Sequence, residues 1–342
     1  MVPAKLATER EWMKSSSKNR YWLGFDLGGT KMMATVFDKE FNILAFRRKK
    51  TKDAKGAKGV LARIVETVEE ALQAAHLDHK QLGAIGIGCP GWLDLDRGVV
   101  MQAPNLGLRN VPLTKELTKD FGCPVVVAND VDAGTYGEYR FGAGQGVRCL
   151  LGVFPGTGIG GGLVYEGKLF RGRTSSCMEI GHIHMQPKGR LCGCGRRGCL
   201  ETVASRLAIA AEAGAAAYRG EAPHLFELAG TDVAAIRSGA LAAAIKAGDH
   251  VIEEIVRHSG RDLGIAIGSV INLLAPDAVV LGGGLVEAMP SLYVQQVRAA
   301  IKKQALRPFT KSLKVVVAKL GDDAVVMGAA ALAAEHVRGS KD

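Results

Sequence analysis

The sequence predicts an α/β protein of two lobes with a duplicated core, and three observations carry that expectation. The chain has 342 residues, 47% hydrophobic and 23% charged, which is enough for two domains with sizeable cores. Residues 21–37 and 149–165 repeat one pattern, an apolar strand, a Gly/Thr-rich turn and a second apolar strand. Elsewhere, short apolar runs alternate with stretches whose apolar residues recur at helical spacing, the pattern of sheets covered by helices.

Taken in order, Tyr21 to Asp26 reads as a strand entering Leu27-Gly28-Gly29-Thr30-Lys31, and the chain leaves as a strand to Phe37 before turning at Asp38–Asn42 into another. This predicts a glycine-tipped hairpin. Val60 to Ala75 places Leu61, Ile64, Val65, Val68 and Leu72 on one helical face. Leu82 to Gly88 is a buried strand ending in the Cys89-Pro90-Gly91 turn, Asn105 lies in a loop, and Pro112 to Phe121 is a short helix. Val125 to Ala128 is a strand that delivers Asn129 and Asp130 at its carboxyl end, where ligands of open α/β sheets bind. The second repeat runs from Cys149 through the turn Pro155–Gly162 to Tyr165. From Leu200 the chain is mainly helical. Asp249 is placed to cap a long helix to Leu274, Asp277–Leu281 is a strand into Gly282-Gly283-Gly284, and one helix follows to about Lys303. Val315–Val317 is a last strand, and Asp322 or Asp323 is placed to cap a closing helix.

Composition removes several function classes. Seven cysteines, four of them (Cys89, Cys123, Cys149, Cys177) among apolar neighbours, argue against a disulfide framework and for a reducing cytoplasm. The stretch 1–20 is polar, with no signal-like apolar region. The most apolar stretch, Gly264 to Val286, is interrupted by Asn272, Pro276 and Asp277, which predicts a buried helix and strand rather than a membrane span. The net charge of +10 owes much to Arg47–Lys50, Lys52, Lys55 and Lys58. No aromatic residues interleave with that run and no nucleic-acid-binding signature accompanies it. A solvated basic edge is the expectation, with a polyphosphate track as the alternative.

Four features point to chemistry. Glu179, His182, His184, Cys192, Cys194, Cys199 and Glu201 fall within 23 residues. Thiolates and imidazole are preferred zinc ligands, and four of them close a structural shell; a redox-active or disulfide-bonded loop is the competing reading. The two glycine turns, with Thr30, Lys31 and Thr157, offer backbone N–H groups that can grip phosphate. Gly156-x-Gly158-x-x-Gly161 fits the dinucleotide-binding spacing but leads into a strand, not a helix, so that reading is set aside. Asp26 can hold magnesium or simply cap its turn. Asp130 can take a hydroxyl proton during phosphoryl transfer, with Asn129 orienting the acceptor; an ordinary Asn-Asp turn is the alternative.

On these residues the chain resembles the ROK group (repressors, open reading frames and sugar kinases) over almost all its length after Arg20. Asp26–Lys31 and Gly156–Gly162 are similar to its two phosphate motifs, Leu281–Gly284 to the segment beneath the nucleoside, and Glu179–His182 with Cys192 to Glu201 to its signature. The resemblance implies a two-lobed actin-like ATPase (duplicated ribonuclease H-like) fold with a cleft that closes on substrate. It places a polar tail at 1–20, a small lobe at 21–128 plus 325–342, and a large lobe at 129–324 with the zinc loop. It implies a cytoplasmic homodimer or homotetramer that phosphorylates a hexose, glucose first, with ATP, Mg²⁺ and structural Zn²⁺, and that binds neither nucleic acid nor membrane. Fructose, mannose, allose or N-acetylmannosamine as acceptor, or polyphosphate as donor, are the alternatives. Asp130 becomes the base. Gly91, Asn105, Asn129, Asp130, Glu179, His182 and Glu201 become sugar ligands. Asp26, Gly28, Gly29, Thr30, Lys31, Gly156, Thr157, Gly158, Gly282, Gly283 and Gly284 face the nucleotide. His182, Cys192, Cys194 and Cys199 become the zinc ligands, one His182 nitrogen being left to the sugar. Two departures stand out. Cys177-Met178 replaces the family's Ala-Gly before the signature Glu, and Leu108 lies near the place of a tryptophan common in glucokinase-like members. A sugar-sensing repressor is the rival from another class, disfavoured because 20 residues before the first strand are too few for a helix-turn-helix.

Overall fold

Two five-stranded sheets repeat one topology in the computed structural model, which describes residues 21–51, 56–173 and 177–339. The tail 1–20 and Lys52 and Lys55 of the basic run lie outside the described residues. The chain divides into two units. The first is built from the described parts of Met1–Gly137, Arg171–Ser176 and Asp322–Asp342, the second from Glu138–Phe170 and Cys177–Gly321.

In the first unit the sheet order is β3-β2-β1-β4-β8, with β1 Tyr21–Leu27, β2 Lys31–Phe37, β3 Ile43–Lys50, β4 Leu82–Cys89 and β8 Val125–Asn129. β1 and β2 form the expected hairpin, and β1, β4 and β8 run parallel. In the second unit the order is β11-β10-β9-β12-β13, with β9 Cys149–Pro155, β10 Ile159–Tyr165, β11 Lys168–Leu169, β12 Ala278–Leu281 and β13 Lys314–Val317. Again the first two strands are antiparallel and the next two join in parallel. Sheet for sheet, this is the duplication that the two glycine-tipped hairpins predict.

β1 and β4 are buried on both faces, as parallel strands covered on both sides must be. One face of the first sheet packs on α1 (Gly56–Ala74) through Val60, Ile64, Val68 and Leu72. The other face, with Trp22, Met33, Phe37 and Ala84, packs on a closing helix at Ala324–Gly339 through Val326, Ala330, Ala333 and Ala334. That helix lies so close that a Cβ on Gly24 would stand 1.9 Å from the Val326 carbonyl, and one on Gly86 1.8 Å from that of Ala329. Only glycine leaves room for backbone to meet sheet there. A third sheet, β5 Trp92–Asp94, β6 Val99–Ala103 and β7 Leu108–Val111, carries the loop with Asn105. Among the described residues, no helix is long and apolar enough to cross a membrane.

Two local expectations are corrected. The helix after Gly284 is not continuous: it stops at Ala288 and restarts at Pro290, with Met289 at φ −139°. Proline has no N–H to give the preceding turn and pushes the residue before it out of helical geometry. Asp249 stands at the start of the helix His250–Leu274 but does not cap it with its side chain. Its carboxylate accepts from the backbone N–H groups of His224 (3.3 Å) and Leu225 (2.8 Å), capping the neighbouring helix Pro223–Ala229.

Candidate active site

In the first unit, β1 ends with half-buried Asp26, and the hairpin tip follows with Gly28, Gly29, Thr30 and Lys31. Buried Thr51 braces the tip: its Oγ1 donates to the Gly28 carbonyl (2.7 Å) and its N–H to that of Thr30 (2.9 Å). A Cβ on Gly29 would lie 3.1 Å from the Asn105 Cβ, so the tip and the Asn105 loop touch. Gly91, at φ 97°, turns the chain out of β4, close against the Gln102 carbonyl.

After helix α2 (Leu113–Phe121), β8 delivers Asn129 and Asp130 to the start of α3 (Asp130–Phe141). Asn129 Oδ1 accepts from the N–H groups of Val131 (2.9 Å) and Asp132 (3.3 Å), so the asparagine caps the helix and keeps its Nδ2 donors. The Asp130 carboxylate accepts from Val131 N–H (3.0 Å) at the N-terminal end of the helix. Burial and then the Asp130 charge push the Asp26 carboxyl up to about 7, against the lowering effect of Lys31. A divalent cation relieves that strain, so the carboxylates present fit magnesium, with Asp26 as the group to hold it.

Lys31 Nζ meets both carboxylate oxygens of Asp322 (2.9 and 3.0 Å), and Arg48 Nη2 reaches one of them (3.0 Å). These two cations hold the Asp322 carboxyl below its ordinary value. Asp322, proposed from sequence as a helix cap, and Arg48, seen there only as part of a basic run, thus form a charged cluster at the phosphate turn. Lys49 of the same run is spent on Glu66 and Glu70 (2.8 and 2.7 Å).

In the second unit, the Gly156 N–H closes onto the Gly158 carbonyl (2.8 Å), making the tight turn between β9 and β10. Glu201 lies over it: Oε2 accepts from Ile159 N–H (3.1 Å), and a Cβ on Gly158 would stand 2.3 Å from that oxygen. Arg206 joins them, its Nη2 donating to Thr157 Oγ1 (3.0 Å) and its backbone N–H to the Gly156 carbonyl (2.9 Å). The sequence reading misses Arg206. Its signal was Ser205, which caps the next helix and so fixes Arg206 as its first residue. Gly282 and Gly283 stack against Phe154 and Pro155 at the end of β9, beside the same turn.

His182, Cys192, Cys194 and Cys199 bring their ligand atoms within 4.8 Å of one another. Cys192 Sγ lies 3.7 Å from His182 Nδ1, and Cys194 Sγ 3.7 Å from Cys199 Sγ. Zinc–sulfur bonds of about 2.3 Å at a tetrahedral angle put two sulfurs roughly 3.8 Å apart, so the donor set fits zinc in spacing as well as chemistry. Cys192, Cys194 and Cys199 are not joined by a disulfide. His184 is outside the cluster; it bridges to Cys199 through the backbone. Glu201 Oε1 stands 3.6 Å from Cys192 Sγ, which ties the cluster to the glycine turn. Glu179 is exposed and precedes the short turn Ile180–His182, its carbonyl accepting from His182 N–H (2.9 Å). Met178 holds φ 62°, the left-handed geometry that glycine adopts most readily.

The chain matches the ROK family over residues 22–336. It is 35% identical to a glucokinase of Streptomyces coelicolor over 319 residues, 92% of this chain and 97% of that one. It is 28% identical to a xylose repressor of Caldicellulosiruptor bescii over 310 residues, 91% of this chain and 77% of the repressor. Among solved structures, the ROK family glucokinase of Streptomyces griseus, determined with glucose and AMPPNP, superposes with a TM-score of 0.80 at 35% identity, covering 93% of this chain and all of that one (100%).

Proposed function

The chain belongs to the ROK family, and we propose that it is an ATP-dependent hexose kinase that phosphorylates glucose on its 6-hydroxyl. The observation that carries this reading is Asp130 at the start of α3, at the carboxyl end of β8 and electrostatically coupled to Asp26 before the first glycine turn.

In the first unit Asp130 accepts the proton of the attacking hydroxyl, a contribution of roughly 10²–10⁴ in rate. Asn129 orients that hydroxyl through Nδ2, and Asn105 and Gly91 border it. The tip Gly28–Thr30 gives its amides to phosphate, while Lys31 and Arg48 supply charge from the Asp322 cluster. In the second unit Gly156–Gly158 does the same with Arg206, and Gly282–Gly284 supports the nucleoside. Glu179, Glu201 and the free Nε2 of His182 offer the acceptors and donors a polyol needs. Magnesium, when bound, neutralises charge on the phosphates, and Asp26 would hold it. Zinc, when bound, supplies no chemistry: His182, Cys192, Cys194 and Cys199 would use it to fix the backbone that presents Glu179 and Glu201. The pairing of Lys49 with Glu66 and Glu70 favours ATP over a long polyphosphate along that strand.

The test is a coupled ADP-release assay over glucose, fructose, mannose, allose and N-acetylmannosamine, with Asp130→Ala as the comparison. Glucose is expected to turn over fastest, and the variant to stay folded with turnover at least about a hundredfold lower. Near-parental turnover by the variant, or no ADP release with any hexose, overturns the reading.

A further inference from the structure

We propose that the second unit carries a separate binding site for an oligophosphate anion, in a basic cavity at the open edge of its sheet. The cavity, about 990 Å³, is lined by Arg298, Lys302, Arg307, Lys311 and Lys314, and no carboxylate lines it. The helices explain the convergence. Arg298 and Lys302 are four residues apart on Pro290–Gln304, and Arg307 and Lys311 are four apart at and just beyond the short helix Arg307–Thr310, so each pair shares a face. Lys314 opens β13, the last strand of its sheet.

Charge balance sets this cluster apart from the cations at the two glycine-tipped hairpins and the basic strand. Lys31, Arg48, Lys49 and Arg148 each meet Asp or Glu. None of the five cavity cations has an ion pair among the described residues. Like charges drawn into one concave surface repel, and a multiply charged anion relieves that repulsion where water and salt do so only in part. The site is also partly preset. The Arg298 guanidinium donates to the Val315 carbonyl (Nε at 3.2 Å), which fixes its direction. Lys314 and Ala318 donate inward to Asp277 and Leu281, so the amides of Val315 and Val317, of opposite parity, turn toward the edge that has no neighbouring strand.

One phosphate, with about two charges, would balance two of the five cations; an oligophosphate with about five charges balances them all. No aromatic side chain lines the cavity to stack on bases, which favours a small oligophosphate over single-stranded nucleic acid. The proposal is independent of the kinase reading, since its readout is binding.

The experiment is calorimetric titration of the full chain with inorganic tripolyphosphate, in excess AMPPNP so that a nucleotide site does not contribute. The protein is compared with Lys302→Glu/Lys311→Glu and with Lys115→Glu/Lys119→Glu, which makes the same change in net charge on a helix of the first unit. Affinity is expected to fall roughly tenfold or more in the first variant, with a shallower salt dependence, and to hold in the second. If the double variant melts early, Arg307→Gln is the milder substitute and should weaken binding severalfold. Unchanged affinity in the cavity variants, or equal loss in both double variants, overturns the site. Titration with a hexose bisphosphate separates the sources: tighter binding than tripolyphosphate assigns a phosphorylated metabolite, weaker binding a free oligophosphate, and both retain the site. Single-stranded RNA held more tightly through the same lysines would overturn the small-anion assignment.

Discussion

A carboxyl that is half-buried beside another carboxylate keeps its proton to higher pH, and Asp26 does so up to about 7. The linkage has a definite sign. With the folded pKa above the unfolded value, the group's contribution to stability is complete below about pH 4 and is lost as pH rises through about 7. Asp26→Asn, which cannot ionise, is therefore expected to match the parent at pH 4 and exceed it by roughly 2–4 kcal/mol at pH 8. Denaturant unfolding at the two pH values measures this, and a parental slope in the variant would show that Asp26 is not the cause. At this scale the sequence is legible where function needs neighbours in the chain. Asn129-Asp130 and the Gly/Thr turns are contiguous. Asp322 is not: it lies 291 residues from Lys31, and only the fold makes them partners. For the same reason the carboxylate of Asp249 could not be assigned to the helix 24 residues before it.

Among the elements, the loop from His182 to Cys199 has the least apolar support of its own. Cys192 and Cys199 are buried, but Leu191 is 64% exposed and the intervening residues are largely polar or glycine. Such a loop needs its ligands joined to hold one shape. Cys192→Ser is expected to lose bound zinc by elemental analysis, to melt at lower temperature, and to raise the KM for hexose more than it lowers kcat. Unchanged hexose affinity in the metal-free variant would reduce the metal to a staple. The spacing of these ligands was readable because zinc chemistry restricts them to a few residue types. The sheet β5-β6-β7 was not, since strands of three to five residues are too short to show alternation. Pro290 was visible but read through, although it lies where the helix breaks.

The duplicated sheet is the part of the whole molecule most legible in sequence, because each copy opens with a glycine-tipped hairpin. Strand order was not legible. β4 and β8 join their sheet only by parallel pairing across long insertions, and periodicity says nothing about neighbours. The first sheet also depends on a helix from the far end of the chain. A methyl group at Gly86 would collide with the Ala329 carbonyl, so Gly86→Ala is expected to cost about 3 kcal/mol or more in urea unfolding. A loss under about 1 kcal/mol would mean that the helix can retreat without penalty.

That closing helix has a consequence for how the protein is made. During synthesis the strands of the first unit emerge early, yet Trp22, Met33, Phe37 and Ala84 have no cover until residues 324–339 leave the ribosome. The second unit lies wholly between those segments in sequence and can finish first. The nascent chain therefore carries an open apolar sheet face for most of its synthesis. That face is a substrate for chaperones and the place where a stalled or truncated chain would begin to aggregate.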